Sequence, residues 1–232
     1  MRHLIRTLAR TALAAGPALA SPASAQVTTV DQGSFSISRG GDRVGSEVFA
    51  IRQTPGAERG MIYVSSATIT AGDRRVLPAL RTDERGVPLA YQLEVRVNGA
   101  SRERLTGLVG RGRFSAQVQT TGGESASEIV VSDGARLVDD DVFHQYFFVA
   151  LGNRRGAVPV IVPRRGEQVT VEVVDRGSES VTVGGRALAA TRLSLTSKGA
   201  PERSVWVDGA GRVLKVEIPA QKLIALRDEP PR

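Results

Sequence analysis

Residues 139–152 read DDDVFHQYFFVALG, and beyond the first 25 residues this is the one stretch with a strongly helical pattern. It carries four of the chain's ten aromatic residues, Phe143, Tyr146, Phe147 and Phe148. From Val142 to Leu151 only His144 and Gln145 are polar. A helix that is apolar round nearly its whole circumference belongs inside a core rather than on a surface. Asp139, Asp140 and Asp141 stand where a helix N-terminus favours negative charge, Gly152 follows the last apolar residue, and Arg154 and Arg155 lie near the carbonyl end. The pattern predicts a short apolar helix over about 142–151.

The chain on either side alternates apolar and polar residues with the period of a strand. Ser34–Arg39, Val44–Arg52, Met61–Thr70 and Arg74–Arg81 are separated by Gly-Gly-Asp, Thr-Pro-Gly and Ala-Gly-Asp breaks. The clearest run places Tyr91, Leu93, Val95 and Val97 on one face and Gln92, Glu94, Arg96 and Asn98 on the other. Asn98-Gly99 is the favoured pair for a type I′ hairpin turn. Ser101–Val109, Arg113–Thr120 and Glu128–Ser132 continue the meander. After the helical stretch, strands are expected at Val158–Val162, Gln168–Val174, Ser180–Val183, Leu188–Thr196, Ser204–Val207 and Arg212–Ile218, with residues 220–232 as a frayed tail.

The expected fold is therefore mainly β. A single domain over 26–232 forms a strongly curved antiparallel sheet or incomplete barrel, with the apolar helix packed on its concave side. Curling such a sheet and filling it deals with its exposed edges and its apolar inner face together. A two-sheet sandwich would leave the helix without a place.

Residues 1–25 combine Arg2, Arg6 and Arg10 with an apolar run and an Ala23-Ser24-Ala25 site, the pattern of a cleaved secretory signal. Export follows, to the periplasm rather than the exterior. With no cysteine, stability must come from the core rather than from disulfides, and Cys-based zinc or nucleophile chemistry is excluded. The net charge of +7 includes the three early arginines; without residues 1–25 the balance is 28 basic against 24 acidic, or +4. That modest charge, export and scarce aromatics argue against a nucleic-acid partner.

The segment Ser204–Ile218, SVWVDGAGRVLKVEI, resembles the closing hairpin of exported bacterial families whose architecture is similar to the LolA/LolB lipoprotein carriers. Val44-Gly45-Ser46-Glu47, the stretch DERGVPLAY at 83–91 and Phe143-His144-Gln145-Tyr146 likewise resemble an exported family of unknown function. The resemblance implies a half-barrel wrapped round helical elements, in which the carriers hold lipid chains. One short helix here stands where the carriers have more.

Residue types limit the chemistry further. His144 is the one histidine after residue 25, and it falls in the aromatic stretch, where a hydrogen-bonded core role is expected. No G-x-S-x-G elbow, dinucleotide fingerprint or phosphate loop is present, and the three aspartates lack calcium-loop spacing. No catalytic residue, metal or cofactor is expected. The sequence supports a non-catalytic cell-envelope protein binding a lipid or another apolar ligand, or an apolar partner segment. Phe143, Tyr146, Phe147, Tyr91 and Trp206 are its candidate lining. An alternative is an assembly component docking on an envelope protein or anionic membrane surface through Arg102, Arg104, Arg111 and Arg113. A carboxylate-dependent hydrolase is a third reading, for which no particular pair of acids stands out.

Overall fold

The computed structural model describes residues 27–56, 60–152 and 155–232; the expected signal at 1–25 and Arg154 lie outside them. The first half of the chain is a run of eight strands: β1 (Thr28–Arg39), β2 (Asp42–Pro55), β3 (Met61–Ala71), β4 (Arg74–Asp83), β5 (Pro88–Val97), β6 (Ala100–Gly110), β7 (Arg113–Thr120) and β8 (Gly123–Val130). A crossing segment then holds a two-residue strand, β9 (Arg136–Leu137), and the helix α1 (Tyr146–Ala150). The second half supplies β10 (Gly156–Val162), β11 (Glu167–Val183), β12 (Arg186–Ser197), β13 (Ala200–Val207), β14 (Val213–Ile218) and β15 (Leu223–Arg227).

All fifteen strands of the described residues form one sheet, ordered β8 through β1, then β15 back to β9. Every neighbouring pair is antiparallel except β9 with β10. The first and last strands pair at the middle of the sheet, Phe35 opposite Arg227 and Arg39 opposite Leu223. The two edges, β8 and β9, are consecutive in sequence. Curvature brings the edges toward each other: Gln168 of β11 accepts from the Ser132 N–H at 2.8 Å and donates to Ser132 Oγ at 2.9 Å, just past β8.

This arrangement corrects the expected frayed tail. Residues 223–227 are a central strand, and Arg227 is buried with a bidentate ion pair to Asp31 at 2.8 and 2.9 Å. Gly33 has no side chain to obstruct that guanidinium, which would lie 2.9 Å from an added Cβ. Asp228 accepts from Ser34 and Ser36 at 2.5 and 2.6 Å, which fixes the chain just beyond the strand. The two strands expected at Gln168–Val174 and Ser180–Val183 are one, β11, with a register shift between Asp175 and Ser178. At the Asn98-Gly99 turn both residues have positive φ, as type I′ geometry requires.

The sheet's inner face and the crossing segment share one apolar cluster, from Phe35 on β1 and Phe114 on β7 to Leu195 on β12 and Ala225 on β15. Five aromatic residues, Phe35, Phe49, Tyr63, Tyr91 and Phe114, lie on β1–β7. The inner wall of β10–β15 is aliphatic. The one aromatic of these strands, Trp206, belongs to a separate cluster with Val181, Val183, Ala190 and Leu214. The helix is shorter than the expected 142–151 and begins at Tyr146. Asp141 has φ +61°, and the chain between it and Gln145 runs as turns because its amides are engaged by the sheet.

Candidate functional site

On β2 the alternation that turns Phe49 and Ile51 inward also turns Glu47 inward, where it is fully buried. Its carboxylate accepts three bonds from the crossing segment: Phe143 N–H at 2.7 Å, His144 N–H at 3.0 Å and His144 Nδ1 at 2.5 Å. A carboxylate can only accept, so Nδ1 carries the hydrogen. His144 Nε2 lies 3.3 Å from Ser65 Oγ on β3, and the imidazole stacks on Phe49, which stacks on Phe35. Serine, histidine and glutamate thus stand in the order of a hydrolytic triad. All three are buried to 1% exposure or less, and none lines the recess described below. Two of the three bonds to Glu47 come from backbone, so the geometry is that of a latch holding the crossing segment to the sheet.

Further anchors hold the same segment. The buried Tyr91 hydroxyl donates to Asp139 Oδ2 at 2.7 Å, and Arg164 Nε donates to Asp139 Oδ1 at 3.0 Å. Burial pushes the Tyr91 phenol well above its usual pKa, and the charge of Asp139 pushes it the same way. Burial also raises the Asp139 carboxyl, against the opposing pull of Arg164. Arg165 forks onto Asp140 at 2.7 and 2.8 Å, and the buried Arg136 donates to the Phe148 carbonyl of the helix at 2.9 Å. The aspartates therefore do not cap the helix, whose first turn holds no acid. Asp139 and Asp140 pair instead with arginines of the turn after β10.

The buried bonds to Glu47 and Tyr91 hold the segment against the aromatic half of the sheet, and a recess opens on its other side. Its volume is about 690 Å³, inside the range of roughly 300–1,000 Å³ usual for small-molecule sites. Val142, Phe143, Tyr146 and Val149 form the wall on the crossing segment, and Val160, Val169, Val171, Leu195 and Ile218 face them from the sheet. Valine is too short to cross the gap that phenylalanine and tyrosine fill on β1–β7. Charged residues ring the mouth: Arg39, Arg165, Lys198 and Arg203, with Asp140, Asp141 and Glu167.

The recess brings together two of the five predicted lining residues, Phe143 and Tyr146. Phe147 instead packs edge-on against Tyr63 and Phe148, and Tyr91 is consumed by its bond to Asp139. Trp206 points the other way, since the inward side of β13 belongs to Val205 and Val207. Its indole donates to Glu179 at 2.7 Å, with Lys215 4.4 Å above the ring. The four predicted docking arginines do not make one patch. Arg104 pairs with Gln119 in the ladder and Arg113 with Gly110, six positions along β7, roughly 20 Å at strand rise. Arg104 and Arg113 also meet carboxylates, Glu94 at 3.5 Å and Glu128 at 2.6 Å. Sequence reasoning missed Glu47, Ser65 and the valine wall. The signal for Glu47 was a carboxylate in phase with Phe49 and Ile51.

These features define a barrel-like protein built from a single curled sheet with a latched core segment. The chain belongs to the family described as Domain of unknown function (DUF6134), whose model matches residues 110–227, the span that holds the crossing segment and both walls of the recess. Among solved structures it is similar to the crystal structure of a β-barrel-like protein of domain of unknown function DUF1849 from Brucella abortus. The TM-score is 0.55 at 8% identity, covering 89% of this chain and 98% of that one. At that identity the likeness concerns the fold alone. No curated protein matches the sequence.

Proposed function

We propose that this protein is a non-catalytic, exported cell-envelope protein that binds an apolar ligand in the recess between the crossing segment and β10–β13. The observation that carries this reading is the asymmetry of the interior. Glu47 and Tyr91 fasten the segment by buried bonds to one half of the sheet, and beyond the Arg164 and Arg165 pairs a gap walled by valines is left against the other. An apolar wall set behind a mouth of charged residues suits a ligand with an apolar part and a polar one. The resemblance to carriers that hold lipid chains in a half-barrel supports the same ligand class, and the pattern of residues 1–25 supports a periplasmic location. The arginine-face alternative has less support, because two of its four arginines are engaged by neighbouring carboxylates.

The test is mass spectrometry of molecules extracted from protein purified gently from an exporting host. A stoichiometric apolar molecule is expected in the wild type and should be lost in Val171→Trp, which fills the recess from a partly exposed strand position. An empty wild type under native conditions, or a bound molecule retained by the filled variant, contradicts the reading.

A further inference from the structure

The charges at the mouth are not balanced in their pairing. Asp139 is matched by Arg164 and Asp140 by Arg165, which also reaches Glu167 at 3.6 Å. Arg39, Lys198 and Arg203 have no carboxylate partner within ion-pair distance among the described residues, and Arg203 donates only to the Pro201 carbonyl, at 3.3 Å. Against these three cations stands a single unmatched acid, Asp141. Deeper in the recess Tyr146 is 7% exposed, and its hydroxyl has no hydrogen-bond partner among the described residues. The hydroxyl is accessible from the recess rather than sealed in the core, where Gln145 Nε2 is the one side-chain polar atom without a partner among the described residues, and it is free to bond a ligand. Arg203 and Tyr146 line the same recess.

We propose that the ligand is a single-chain amphiphile with an anionic head, its chain against the valine wall and its head held by the Tyr146 hydroxyl and the Arg203 guanidinium. The inference rests on the binding reading above and adds the ligand's polarity and direction. Burial pushes the Tyr146 phenol up to about 12, with the charge of Arg203 opposing that rise. The hydroxyl therefore keeps its hydrogen at neutral pH and donates to an anion. The guanidinium supplies a second, charge-assisted donor. Lys198 and Arg39 at the mouth add attraction for the same sign of charge.

The test measures binding of palmitate, hexadecanol and hexadecyltrimethylammonium to the purified protein by calorimetry below their aggregation concentrations. Chain length is shared, so differences report the head. Palmitate is expected to bind about tenfold or more tighter than hexadecanol, the scale of one charge-assisted hydrogen bond, with the cation weaker than both. Arg203→Gln should remove most of the palmitate advantage and leave hexadecanol unchanged. Tyr146→Phe should do so in part, with circular dichroism confirming that each variant is folded. If Tyr146→Phe does not fold, Arg203→Gln at its half-buried position decides alone. Equal affinity for palmitate and hexadecanol, or a preference unaltered by Arg203→Gln, overturns the head-group inference while leaving the apolar recess in place. No binding of any of the three overturns the underlying reading itself.

Discussion

Replacing Glu47 with alanine removes the acceptor of three buried hydrogen bonds at once. Phe143 N–H, His144 N–H and His144 Nδ1–H all point at its carboxylate, and neither Glu47 nor His144 is more than 1% exposed. A buried donor left without an acceptor costs about 1–3 kcal/mol, so three give about 3–9 kcal/mol before any cavity is counted. A domain's whole stability is about 5–15 kcal/mol, and the variant should lose a large part of it. Glu47→Gln keeps one acceptor oxygen and should cost less, about 1–3 kcal/mol. Urea denaturation followed by far-ultraviolet circular dichroism measures both. Amide exchange adds the location: protection should fall first over residues 139–151, while β4–β6 stay protected. A loss below about 1 kcal/mol for Glu47→Ala, or unchanged exchange across the crossing segment, refutes the latch.

Other perturbations test other parts of the structure. All three tyrosines, Tyr63, Tyr91 and Tyr146, have phenols raised above their usual value by burial, so absorbance at 295 nm should place their ionisation above pH 10. For a group raised in the folded state, the stabilisation is complete below its unfolded value and is lost as pH rises through the folded one. Stability should therefore decline from about pH 10 toward about 12, the value of Tyr146, and an unperturbed titration near 10 in the folded protein contradicts this. Asp31→Asn strands the buried Arg227 charge and should cost about 3–5 kcal/mol in urea denaturation. Gly107→Ala would set a methyl 2.3 Å from the Phe114 ring on the neighbouring strand, and a loss of about 1–3 kcal/mol is expected. Ser65→Ala, which removes only a 3.3 Å contact to His144, should change stability by less than about 1 kcal/mol.

Much of the fold was legible in the sequence because alternation is a local signal. The strand from Pro88 to Val97 and its Asn98-Gly99 turn could be read residue by residue, and the apolar stretch around Phe147 announced a core position. What escaped depends on partners far away in sequence. Residues 223–227, LIALR, are too short to alternate convincingly, and they become a strand because β1 and β14 flank them. The three aspartates looked like helix caps because acids suit a helix start, but Tyr91, Arg164 and Arg165, some 25 to 50 residues away, take Asp139 and Asp140 instead. The recess was half visible: Phe143 and Tyr146 could be named, whereas its other wall is made by small residues, and a gap is a property of two surfaces rather than of either sequence. Glu47 was the clearest missed clue, since a charge on the inward phase of a strand must meet a buried partner.

The central claim is that the latched segment leaves a recess occupied by an alkyl chain. Crystals grown with a fatty acid brominated near its chain end test this directly through the anomalous signal of bromine. A bromine peak between Val142 and Val171, with the carboxylate toward Tyr146 and Arg203, is the predicted result. A recess closed by side chains, or a bromine peak confined to the outer surface, would contradict the account.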